Sequence, residues 1–304
     1  MSWKPIVVGV DTSPEAASAA AFASRMADMA GTTCHLVHSA RDVWAAVPVD
    51  EGVDELKHAL IDNVRADIRT ALKGVDQALI ESLTVRLGRA PVVLRGAVSE
   101  LGAELVVLGG KHHSTLGRWL AGSTSLNVAR TADVPLLVTA GAARPIRRVL
   151  VAVDVSSAAT PTLAAAERYA ALFGAELRAL NALEPLPVIP VGSPAFDQTA
   201  YYALSEDLLR REVWPRIQAP WVEKVMRHGT PVETIEAEVA AWRADLLVVG
   251  SHGKGWVQRM LLGSVTERLL NHLPTSVLVV PTAAAVVEPL AASAERSQPV
   301  VAIG

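Results

Sequence analysis

The sequence predicts an α/β protein made of two tandem open five-stranded parallel sheets with helices on both faces. Three observations lead there. Short Val- and Leu-rich runs alternate with Ala-rich stretches of helical spacing, the pattern of βαβ units and a parallel sheet. Half of the 304 residues are hydrophobic but only 4% are aromatic, so the apolar content is mostly Ala, Val and Leu, as buried parallel strands require. The chain also repeats itself. Leu105–Gly109 matches Leu246–Gly250, Gly122-Ser123 matches Gly263-Ser264, and Gly88 matches Gly229, each pair 141 residues apart. A period of that length is a domain, not a solenoid repeat. Asp11 and Asp154 are 143 apart, so two residues shift early in the unit.

The elements of the first unit follow in order. Residues 5–10 are a short apolar strand ending at Asp11. A helix from Pro14 to Ala30 opens at Thr12-Ser13-Pro14-Glu15, because serine before proline and glutamate suits a helix start. Gly31 ends it. Strand two is 34–39. Residues 50–72 have helical spacing through Val53, Leu56, Leu60, Val64, Ile68 and Leu72. Strand three is 83–87, a helix covers 91–101, strand four is 105–108, a helix covers 123–130, and strand five is 135–138. The second unit repeats the order, with strands at 149–153, 176–180, 222–226, 246–249 and 276–280. Prolines 185, 187, 190 and 194 mark residues 184–196 as a loop. Residues 140–145, small and closed by Pro145, read as a linker. The expected domains are therefore 1–143 and 144–282, with 283–304 as a mobile tail.

Several classes are disfavoured. A net charge of −3 argues against a nucleic-acid partner. No apolar run approaches the roughly 18 residues that cross a membrane. Residues 1–9 lack the basic and apolar regions of a signal peptide, and Cys34 is the single cysteine, so a cytoplasmic location is expected. Neither a phosphate-loop G-x4-G-K-[ST] nor a G-x-S-x-G elbow is present. His35 and His38 fall on opposite faces of their strand, and the adjacent His112-His113 is a poor metal pair, so no metal site is assigned.

The stretch with chemistry in it is Gly250-Ser251-His252-Gly253, nine residues, then Gly263-Ser264. It follows a buried strand and precedes a helix. Glycines let the backbone come close to a phosphate, and the free N–H groups of a first helical turn point at the anion. Two readings of Ser264 stand side by side. Ser264-Val-Thr-Glu267 forms a capping box that serves the helix alone. Alternatively the Ser264 hydroxyl and the amides of Gly263, Ser264 and Val265 hold phosphate.

Gly250-x2-Gly253-x9-Gly263-Ser264, after Asp245-Leu-Leu-Val-Val, resembles the ATP-binding signature of universal stress proteins. The longer strings Gly-Ser-His-Gly-Lys and Leu261-Leu-Gly-Ser-Val-Thr-Glu267 make the match specific, and it covers 3–281 as a tandem pair. The resemblance implies an adenine-nucleotide alpha-hydrolase-like, Rossmann-like fold, with ATP, alone or with Mg2+, as cofactor. It places Asp154 beside adenine and ribose, Val153 and Val155 around the base, and Ala182 against adenine. Val249, Gly250, His252, Gly253, Gly263, Ser264 and Val265 fall on the phosphate side, with Lys254 and Arg259 as the nearest cations. The first unit keeps Asp11, Gly109, Gly122 and Ser123 but has His112 where the second has Gly253 and Leu126 in place of Glu267. Its site is expected to be weakened or lost.

The resemblance further implies pairing through the last strands, 136–138 with 277–280, as an internal pseudo-dimer. Two such chains could associate again as a homodimer. The functional expectation is an ATP-binding stress-response protein that acts through conformational change or an unidentified protein partner. No catalytic residue is assigned. A slow ATPase or phosphotransferase is one alternative, and a ligand-free structural pseudo-dimer is another.

Overall fold

The computed structural model describes residues 2–42, 53–113, 118–185, 198–253 and 262–282. The first unit contains β1 (Ile6–Gly9), α1 (Pro14–Ala30), β2 (Cys34–Ala40), α2 (Val53–Ala71), α3 (Gln77–Glu81), β3 (Thr84–Leu87), α4 (Ala90–Leu101), β4 (Leu105–Gly109), β5 (Lys111–His113), β6 (Arg118–Leu120), α5 (Ser123–Thr131) and β7 (Leu136–Thr139). The second contains β8 (Arg148–Ala152), α6 (Ala159–Phe173), β9 (Glu176–Leu183), α7 (Gln198–Glu212), β10 (Glu223–His228), α8 (Pro231–Trp242), β11 (Leu246–Gly250), α9 (Ser264–His272) and β12 (Ser276–Val280).

Local chemistry sets the ends of α1 where the sequence put them. The Ser13 hydroxyl accepts from the Ala16 amide, and Gly31 takes the left-handed conformation at φ 62°, where a side chain is disfavoured. A helix after the proline-rich loop is expected from the repeat, and α7 fills that place. Strand β9 runs three residues beyond the predicted end, because Ala182 and Leu183 pair with Arg227 and His228 of β10. The tail 283–304 and residues 186–197 of the proline-rich loop lie outside the described residues.

The two predicted sheets are one. Ten strands run in the order β10-β9-β8-β11-β12-β7-β4-β1-β2-β3, parallel within each unit. The junction is antiparallel, with Val277 opposite Val138, Leu278 opposite Leu137 and Val279 opposite Leu136. Leu137 and Leu278 are equivalent residues of the two copies, so a pseudo-twofold axis passes between them. The expected internal pairing is thus observed. It also removes two apolar sheet edges, each of which would otherwise offer unpaired backbone groups to another chain. Both core layers cross the junction. One packs α1 and α6 residues such as Ala19 and Leu163 against Val8 and Val248. The other packs α4, α5, α8 and α9 through Leu94, Val128, Ile235 and Leu269. Each fully buried Leu contributes about 1.5–3 kcal/mol relative to exposure.

Polar contacts also join the units. Arg168 of α6 makes two hydrogen bonds to the Glu104 carboxylate, at 3.0 and 2.7 Å, and its guanidinium lies 3.7 Å from the centre of the Trp3 ring. The Ala121 amide donates to the Leu270 carbonyl at 2.7 Å. Arg130 of α5 pairs with Glu267 of α9 at 2.7 Å. Burial pushes the Cys34 thiol up to about 12, so the nucleophilic thiolate is scarce at any ordinary pH. Iodoacetamide at pH 8 is therefore expected to label Cys34 slowly in the native protein and rapidly in urea. Equal rates would contradict that burial.

Candidate functional site

In the second unit a cavity of about 560 Å3 opens at the carboxyl ends of β8, β9 and β11. That is where strand order reverses in an open α/β sheet, so loops from both sides diverge and leave a crevice. Val153, Asp154, Val155, Ala182, Val249, Gly250, His252, Gly253, Gly263, Ser264 and Val265 all line it. Every predicted second-unit site residue within the described residues is thus brought together. Lys254 and Arg259 fall outside them.

The glycines act through space rather than conformation. None of Gly250, Gly253 and Gly263 has positive φ. A Cβ at Gly253 would stand 2.7 Å from Asp154 Oδ2, closer than real Cβ contacts come. One at Gly250 would meet Thr162 Oγ1 and the His252 carbonyl, each at 3.1 Å. Glycine at these points lets the loop lie directly over the end of β8. Asp154 is held by its own turn, where Oδ1 accepts from the Ser156 amide at 2.9 Å and from the Ser156 hydroxyl.

Ser251, nearly fully buried, anchors the loop. Its amide donates to the Val280 carbonyl, and its hydroxyl accepts from the Thr282 amide at 3.0 Å. Its carbonyl accepts from the Gly263 amide at 2.9 Å. That last bond corrects one expectation: the Gly263 N–H is already committed and does not face a phosphate. The Glu267 amide closes the first helical bond of α9 on the Gly263 carbonyl. The amides of Ser264, Val265 and Thr266 therefore lie ahead of the helical ladder and are the donors that α9 can offer to an anion. Thr266, which the sequence reading did not single out, lines the cavity and ties its hydroxyl to the Gly250 carbonyl at 2.7 Å.

The capping box is a second correction. Helix α9 starts at Ser264, with Gly263 as its cap, and the Glu267 side chain turns away to Arg130 of the first unit. A distant cation outcompetes the local amide because a charge-assisted pair is stronger than a neutral cap bond. His252 Nδ1 and the Ser251 hydroxyl are hydrogen-bonded to each other at 2.9 Å. Its Nε2 is buried without a partner, as is Oδ1 of Asn181. Both residues line the cavity. Asn181, Thr162 and the α7 residues Tyr201, Leu204 and Leu208 complete the wall. Their signal was hidden in sequence, since none belongs to the glycine motif.

The first unit has Gly109, Gly122 and Ser123 at the equivalent places. After Gly109 the chain forms the antiparallel hairpin β5–β6, in register from Lys111 opposite Leu120 to His113 opposite Arg118. The Lys111 stem lies over Gly122, the cap of α5, within 3.5 Å of where its Cβ would be. A side-chain stem therefore lies against the cap of α5, whereas in the second unit Gly263, Ser264 and Val265 line the cavity. Asp11 keeps the same turn as Asp154, accepting from the Ser13 amide at 2.9 Å. Ser123 begins α5 and is exposed. His35 and His38 make separate bonds, to Thr33 Oγ1 and the Val10 carbonyl, and form no site together.

No helix among the described residues is long and apolar enough to cross a membrane. A family model described as the universal stress protein family matches residues 2–140 and again 145–281. A universal stress protein of Mycolicibacterium smegmatis is 32% identical over 287 residues, covering 90% of this chain and 96% of the relative. One from Mycobacterium tuberculosis is 31% identical over 292 residues, covering 90% and 96%. The crystal structure of an Archaeoglobus fulgidus universal stress protein superposes with a TM-score of 0.60 at 20% identity, covering 91% of this chain and 98% of that one. With two matched units, a doubled sheet and full-length relatives, the chain belongs to the universal stress protein family.

Proposed function

We propose that the second unit binds one adenine nucleotide, ATP in the first instance, and that the protein serves in a stress response through occupancy of that site. The observation that carries this is the layout of the cavity across three neighbouring strands. Strands lie about 4.8 Å apart, so β11 and β9, with β8 between them, are about 10 Å apart. The open amides of α9 and the glycine loop sit at the β11 end and suit phosphates. Asp154 ends β8 in the middle, where its carboxylate can accept from ribose hydroxyls. The end of β9, with Ala182, and the apolar side chains of α7 suit the base. A cavity of about 560 Å3 is in the ordinary range for a small-molecule ligand.

Asp154 and the α9 amides bind and orient; occupancy then biases the loop and α9, and through Glu267 and Arg130 it reaches the first unit. Titration calorimetry of the full chain with ATP is expected to give about one molecule per chain. Two equal sites, or no heat of binding, would refute the reading.

A further inference from the structure

The Asn181 side chain carries an acceptor that the fold leaves unused. Asn181 lies on β9, is 5% exposed, and lines the cavity. Its Nδ2 donates to the Val153 carbonyl at 2.8 Å. A carbonyl can only accept, so this bond fixes which way the amide points: nitrogen to Val153, oxygen to the other side. That oxygen, Oδ1, is buried and has no partner. An unsatisfied buried acceptor carries a desolvation penalty, and folds retain few of them without a reason.

The first unit sharpens the point. Its equivalent residue is His38, whose Nδ1 bonds the equivalent Val10 carbonyl at 2.7 Å. The tie to the end of the first strand is thus common to both units, and an imidazole is sufficient for it. What asparagine adds in the second unit is a carbonyl oxygen in place of a ring nitrogen, an acceptor that never becomes a donor. It appears in the unit that has the cavity and, of the three strands that line it, on the one farthest from the phosphate-type donors.

We propose that Asn181 is the base-selecting residue of this cavity, with Oδ1 accepting a hydrogen bond from an exocyclic amino group such as the 6-amino group of adenine. The inference rests on the nucleotide reading above. The fixed orientation makes Oδ1 a pure acceptor, so it favours an amine and disfavours a carbonyl at the same place, where two lone pairs would face each other. Purines carrying a 6-oxo group are therefore rejected. Val153 and Ala182 beside it, and Leu204 of α7, 69% exposed on the cavity wall, supply apolar contact for the ring but no choice between bases.

The test is a thermodynamic cycle by titration calorimetry on the full chain. The ligands are ATP and purine riboside triphosphate, which lacks only the 6-amino group. The proteins are the wild type and Asn181→Ala. In the wild type ATP is expected to bind roughly ten- to a hundredfold more tightly than the deamino analogue. In Asn181→Ala that ratio is expected to fall to about one, chiefly through loss of ATP affinity. A wild-type ratio near one, with both ligands bound, overturns the role of Asn181 and leaves nucleotide binding intact. An undiminished ratio in a folded Asn181→Ala overturns it equally. If neither ligand binds the wild type, the nucleotide reading fails and the selector role falls with it. The wild-type ratio alone decides the matter if Asn181→Ala does not fold.

Discussion

Replacing Gly253 with histidine, the residue at the equivalent place in the first unit, is expected to weaken ATP binding roughly a hundredfold, about 2.7 kcal/mol. The cause is steric. The new Cβ would lie 2.7 Å from Asp154 Oδ2, so either the carboxylate or the loop must move. Hydrogen bonds to a charged group contribute about 1.5–3 kcal/mol each, and on the proposed nucleotide reading displacement of Asp154 forfeits at least one while shifting the glycine loop. Because Gly253 has ordinary φ, backbone strain adds nothing, and the fold should survive with little change in melting temperature. Calorimetry with ATP reads the effect. An affinity within threefold of wild type would show that the loop does not approach the ligand.

Glu238→Ala is expected to destabilise the second unit by about 3 kcal/mol. Glu238 lies on α8, 5% exposed, between Arg178 of β9 and Arg227 of β10. Arg227 meets it at 3.0 Å, and Arg178 also pairs with Glu223 at 2.7 Å and stacks its guanidinium over Trp242 at 4.4 Å. Removing one partner of a buried pair costs about 3–5 kcal/mol, because the remaining charge keeps its desolvation. The lower end applies here, since Arg227 is half exposed and rehydrates, while Arg178 retains Glu223. Urea denaturation followed by circular dichroism measures it, with Glu238→Gln as a control of equal volume. Loss of less than 1 kcal/mol would mean that Glu223 and water hold Arg178 unaided. The same cluster ties α8 to β9 below the cavity, so the variant should also loosen Asn181.

Much of this architecture was legible in the chain. The period-two and period-3.6 patterns report which face of each segment is apolar, and that is enough to place strands and helices. The duplication at 141 residues marks two units, and Gly250, Gly253, Gly263 and Asp154, singled out by spacing and resemblance, line one cavity. Misses occurred where the pattern was weak or local rules competed. The α7 residues of the cavity wall lie outside the glycine motif, so nothing along the chain marks them as part of the site. Glu267 satisfies the local rule for a capping box, yet it bonds Arg130, 137 residues away.

The sequence by itself determined the fold class, the tandem repeat and which half keeps the second loop glycine, Gly253, because those depend on local periodicity and on residue identity. Only the tertiary structure decided that two sheets become one, that the Gly263 amide is spent on Ser251, that the Lys111 stem lies against Gly122, and that Asn181 is left with an unused acceptor. Those outcomes depend on which distant groups arrive within about 3 Å of each other, and hydrogen-bond competition at that range leaves no periodic trace along the chain.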